Sequence, residues 1–217
     1  MDKLDLTTGR LERNVEEAGE TLIQISLQYP QAAGGEHPVT ETLNHCFTRM
    51  AENLVAALSL EMLGEARTAL ALMPETLPYQ INGTFTTTYN AHGVISFYKD
   101  VFLYAGGMRG ITCRYAGSFL TADSGRPLFM SAFFPISTDV PTLVSDFVTQ
   151  RHGVEPSTVQ TAFSPENFYL AEHGLVVFYP PGAVGPVAGG ISVFTMPYED
   201  EGPFSPIALL PEIRSNQ

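Results

Sequence analysis

Basic residues are scarce in this sequence: 11 Lys plus Arg stand against 23 Asp plus Glu, a formal net charge of -12 over 217 residues. A field of that sign repels phosphate backbones and anionic lipid headgroups, which argues against nucleic acid as a partner and favours a basic protein or a cationic peptide. Cysteine is nearly absent. Cys46 and Cys113 are too few for a disulfide framework and too far apart for a zinc pattern, so they read as two buried free thiols, with one disulfide between them left open. No apolar run approaches the roughly 18 residues of a membrane helix, and no N-terminal apolar stretch reads as a signal peptide. The chain as given is therefore expected to be soluble, and the compartment and oligomeric state stay open.

Catalytic spacing is missing as well. His92, His152 and His173 each precede a glycine and His37 precedes a proline, which makes them backbone punctuation; His45 belongs to a solvated helix face. No two histidines stand four apart, so neither a metal site nor a cofactor is expected. Ser118 and Ser124 lack the G-x-S-x-G elbow of a nucleophile. Glu199, Asp200 and Glu201 run into Gly202-Pro203 and read as a solvated loop.

What is present is a core-forming pattern, with 44% hydrophobic residues, enough for one domain or two closely packed halves. Residues 1–19 are polar and of mixed charge and read as an N-terminal arm. Ile23, Ile25, Leu27 and Tyr29 alternate with Gln24, Ser26 and Gln28, the pattern of a half-buried strand. Residues 30–38, with Gly34-Gly35 and two prolines, form a loop. From Val39 the apolar spacing becomes three and four (Leu43, Phe47, Met50, Leu54, Leu58) and continues to Pro74, predicting one helix of more than thirty residues or two meeting at Gly64.

Two stretches share one design. Asn90-Ala91-His92-Gly93 leads into a strand ending Phe97-Tyr98, and Ala171-Glu172-His173-Gly174 into one ending Phe178-Tyr179. Both read as hairpins turning on glycine. Residues 80–89, 94–104 and 111–115 complete a three-stranded meander. Residues 140–151 form a shorter helix, capped by Asp139 and stopped at Gly153, and a loop follows over residues 155–166. Residues 175–179 and 191–196 are apolar at nearly every position and predict strands in the middle of a sheet, covered on both faces.

The fold class is therefore α+β: an antiparallel meander and hairpins packed against one long helix and a second shorter one. An N-terminal region over 20–126 and a C-terminal region over 127–217 are expected to pack as one globular unit. The turn Gly106, Gly107, Met108, Arg109, Gly110 carries the spacing of a nucleic-acid clamp, but it joins two strands in an acidic protein and reads as a hairpin turn. Arg109 at its tip, beside Met108, is the candidate binding point.

The "ISFY…YAGG" middle and the "LVVFYPP…AGG…FTMPY" end, with the strand and long helix before them, resemble the paired domains of RsiV-type anti-sigma factors and PdaC-type peptidoglycan deacetylases over about residues 20–200. The resemblance implies an extracytoplasmic bacterial region. In the first group it binds lysozyme, a strongly basic protein, and in the second it is an accessory to a separate catalytic domain. Met108 and Arg109 stand where that family pattern has Ala-His, so no role of that histidine carries over. The implied function is a non-enzymatic recognition or sensor module for a basic, lysozyme-like protein or a cell-wall-associated ligand. A second reading is a cell-wall hydrolase using carboxylates from distant loops. A third is an assembly protein, pairing through residues 207–210.

Overall fold

The computed structural model describes residues 3–34, 39–107, 109–122 and 124–198. The first element is already a correction. Within the expected arm, Leu6–Glu17 forms a strand, β1, paired antiparallel with β2 (Glu20–Ala32) in the register Gly9 to Tyr29 and Leu11 to Leu27. Its sequence hides this because an edge strand with one apolar residue in four has little hydrophobic signature, and its charges suit an unpaired edge. Leu4 is fixed too, exchanging backbone hydrogen bonds with the carboxamide of Asn90.

The long helix α1 runs unbroken over Thr40–Leu72, with no bend at Gly64. Its buried residues Leu43, Phe47, Ala51, Val55, Leu58, Met62, Ala66 and Ala69 recur every three or four positions and form the stripe that packs on β2. Asn44 pins its first turn, accepting from Ala32 N at 2.6 Å and donating to Ala32 O at 3.0 Å. The helix acts as a crossover, so β2 and the next strand, β3 (Tyr79–Ala91), run parallel, with Ser26 beside Asn82. That parallel pair was not foreseen in an antiparallel reading.

β3 turns at His92 (φ 52°) and Gly93 (φ 73°) into β4 (Val94–Tyr104), and β5 (Ile111–Leu120) closes a sheet ordered β1-β2-β3-β4-β5. The two left-handed residues are what a two-residue hairpin requires. The helix α2 covers Val140–His152, with the Asp139 side chain accepting from Thr142 N and Gly153 (φ 70°) ending it. The expected loop after it contains a short helix, α3 (Pro156–Ala162), whose one buried residue, Val159, leaves no periodic signal. The last sheet is ordered β6-β7-β8: Phe168–Ala171, Gly174–Tyr179 and Ser192–Pro197. β7 lies in its centre, buried at every residue, as its composition predicts. β8 does not; it is an edge strand, with Val193 exposed.

The chain divides into two compact units, which do not follow the expected boundary at residue 126. One comprises residues 5–85 and 99–113, the other residues 1–4, 86–98 and 114–217, so β3, β4 and β5 each contribute to both. In the second unit, Leu175, Val177 and Tyr179 of β7 face a core with Val144, Phe147 and Val148 of α2. Val176 and Phe178 face the other way, toward Tyr98, Ala116 and Tyr169. Arg114 lies over the Tyr98 ring at 3.7 Å from its centroid. The fold class is α+β, with both sheets rich in antiparallel pairs.

Candidate functional site

In the first unit, strand alternation sorts chemistry between two faces of the sheet. Ile23, Ile25 and Leu27 of β2, with Ile81 of β3 and Val101 of β4, are buried on the side where α1 packs. The intervening residues carry polar groups and look outward. Ser26 and Gln28 from β2, Asn82 and Thr84 from β3, Asp100 and Phe102 from β4 and Thr112 from β5 line a shallow depression of about 360 Å³ with the backbone of Gly83. Asn82 Nδ2 donates to Gln80 Oε1 at 3.1 Å, a bond between two side chains of the same strand.

Phe102 is 39% exposed and its ring packs closely against Gly110. A Cβ built at Gly110 would stand 2.3 Å from two carbons of that ring and 2.6 Å from Leu103 O, so only glycine lets the phenyl settle there. Of the five turn residues expected to bind, Gly110 thus supports the depression from beneath Phe102. Gly106 is half-buried, Gly107 and Arg109 are exposed between β4 and β5, and Met108 lies outside the described residues.

A second depression, of about 410 Å³, belongs to the other unit and is lined by Arg126, Phe129, Ser131, Ile136 and their neighbours. It is mostly apolar, and Phe129 and Ile136 are strongly exposed beside it.

The remaining candidates are structural. Ser118 is buried with its hydroxyl 2.8 Å from that of Ser96, which also accepts from Leu170 N at 2.9 Å, so its neighbour is a second hydroxyl and the pair fastens β6 in place. His92 Nδ1 lies 2.8 Å from the Tyr89 hydroxyl at the hairpin, and His152 packs between the Phe147 and Phe194 rings. His45 and His173 are exposed. His37, the acidic run at 199–201 and the apolar segment at 207–210 lie outside the described residues. Both cysteines are free thiols and half-buried instead of fully buried, and burial together with the Glu61 carboxylate pushes the Cys113 thiol above its ordinary range. Among the described residues no three His, Cys, Asp or Glu side chains come together as metal ligands, and no helix is long and apolar enough to cross a membrane. Glycoside cleavage calls for two carboxyl groups facing one bond; among the described residues Asp100 is the one carboxylate lining the first depression, and none lines the second.

Sequence spacing missed this site because its residues come from four strands. The visible signal was the polar half of each alternation, Gln24-Ser26-Gln28 above all, which reads equally well as an ordinary wet face.

Comparison with known proteins agrees with the fold. Residues 16–112 match the family described as Deacetylase PdaC, and residues 144–199 match the protein family of unknown function DUF3298. A member of the DUF3298 family from Bacteroides fragilis superposes with a TM-score of 0.62 at 16% identity, covering 92% of this chain and 93% of that one. A DUF3298 family protein from Pseudomonas aeruginosa PAO1 gives a TM-score of 0.57 at 12% identity, covering 89% and 91%. No curated protein matches the sequence.

Proposed function

Taking as premise that the chain pairs a PdaC-type region with a DUF3298 region, we propose that it is a recognition module without chemistry of its own. Its binding surface is the open face of the five-stranded sheet. Its ligand is a basic, lysozyme-like protein or a cell-wall-associated molecule. The observation that carries this reading is the depression itself: hydrogen-bonding side chains and one exposed phenyl ring brought together on a sheet that α1 braces from behind. Loops and sheet faces positioned by a rigid scaffold are where binding functions concentrate.

The net charge of -12 supports a basic partner through long-range attraction. The family name Deacetylase PdaC fits a region that serves an enzyme acting on acylated material, while this chain supplies the recognition. The test is a pair of binding measurements on the full chain: calorimetric titration with lysozyme at low ionic strength, and co-sedimentation with insoluble cell-wall material. Binding in either supports the proposal. Failure in both, or turnover of cell-wall substrate by the purified chain, overturns it.

A further inference from the structure

Resting on that reading of the open sheet face, we infer that the depression over β2 to β5 takes a neutral saccharide. The lining is the argument. Gln28 and Asn82 present carboxamides, each both donor and acceptor, and Thr112 a hydroxyl, while Asp100 provides a carboxylate. Among the described residues no Lys or Arg lines the depression, so a phosphate or carboxylate group meets neutral donors and one carboxylate there but no cation. A basic protein, for its part, would be met by carboxylates, and here there is one among seven neighbours of other kinds.

A ligand matched to this set has many hydroxyl or amide groups, no net charge and one flat apolar face to lay on a phenyl ring. A pyranose has all of these: axial C–H groups on one face for the ring of Phe102, and equatorial hydroxyl or acetamido groups around it for the carboxamides. Gly110 leaves room for the ring, since a Cβ there would stand 2.3 Å from two of its carbons. From β2 to β5 the face spans three strand intervals, about 14 Å, which suits a short oligosaccharide more than a single sugar. The volume of about 360 Å³ falls in the range of small-molecule sites.

The test is titration of the full chain, by calorimetry and by NMR shift mapping, with a tetramer of β-linked N-acetylglucosamine and with a β-linked glucose tetramer. The expected result is binding of at least one tetramer, weakened about tenfold in Phe102→Ala and in Asn82→Ala, and unchanged in Phe129→Ala at the second depression. Circular dichroism and thermal melts of each variant establish that it is folded. Binding of neither tetramer overturns the inference, and so does binding that both open-face variants leave intact. Lysozyme and insoluble cell-wall material are measured alongside. If either binds while the tetramers do not, the saccharide assignment fails and the recognition reading stands; if nothing binds, both fall.

Discussion

Lys99 sits on β4 on the same face as Val101 and is only 2% exposed. Burial costs its charged form hydration, and its pKa falls from the ordinary 10.5 to about 8. Between those values the unfolded chain holds a proton that the folded one has released, so the stability owed to this group rises with pH through that window and is lost below it. The full penalty, roughly 3 kcal/mol, is present at neutral pH. Lys99→Met is therefore expected to raise stability at pH 7 by about 1–3 kcal/mol, and to flatten the rise between pH 8 and 10, in urea unfolding at several pH values. A variant less stable than the parent at pH 7 would show that the ammonium is satisfied where it lies. Tyr179 raises the same question in the core of the other unit. It is 1% exposed, its hydroxyl has no hydrogen-bond partner among the described residues, and burial pushes its pKa up to about 12. Tyr179→Phe keeps the ring against Phe194 and removes a stranded polar group, so thermal unfolding should show stability unchanged or raised by up to about 1 kcal/mol.

At the scale of elements, Gly64 divides expectation from outcome. It was the candidate break in the long helix, yet α1 passes through it, and nothing lies within 4 Å of a Cβ built there. Gly64→Ala should therefore stabilise the protein by about 0.5–1 kcal/mol, read from urea midpoints with an unchanged slope; a loss would mean that the helix does depend on a weak point. The same comparison explains what could be read from the residues alone. α1, α2 with its Asp139 cap, the His92-Gly93 hairpin and the central β7 were legible, because periodicity, capping and turn chemistry are local and agree with the packing. The second hairpin forms as well, but it turns at Glu172-His173, and Gly174 is the first residue of β7 without a left-handed φ, so that turn does not rest on glycine. β1, α3 and the edge position of β8 were not. β1 draws its order from pairing with β2, α3 buries one side chain, and β8 is as apolar as a central strand although among the described residues one of its sides has no strand beside it. The candidate site was half legible: Gly110 belongs to the predicted turn, but its part is to seat Phe102, and the polar groups around that ring meet only when β2, β3, β4 and β5 lie side by side.

For the molecule as a whole, charge and site chemistry make separable demands. The net charge of -12 acts at long range on any cationic partner, whereas the lining of the open face is almost uncharged and acts only at contact. Salt distinguishes the two, because the screening length shortens to about 10 Å at 0.1 M while neutral hydrogen bonds and stacking are nearly indifferent to it. If lysozyme binds, its association should weaken at least about tenfold between low and physiological ionic strength, mostly through a slower on-rate. A saccharide tetramer held over Phe102 should keep its affinity within about twofold across the same range. Surface plasmon resonance with each ligand at several salt concentrations gives both slopes in one experiment. Lysozyme binding that ignores salt would take the acidic field out of the account and move recognition to a contact surface. Saccharide binding that collapses in salt would mean that the group recognised on the open face is charged after all, and the Asp100 carboxylate would be the first side chain to replace.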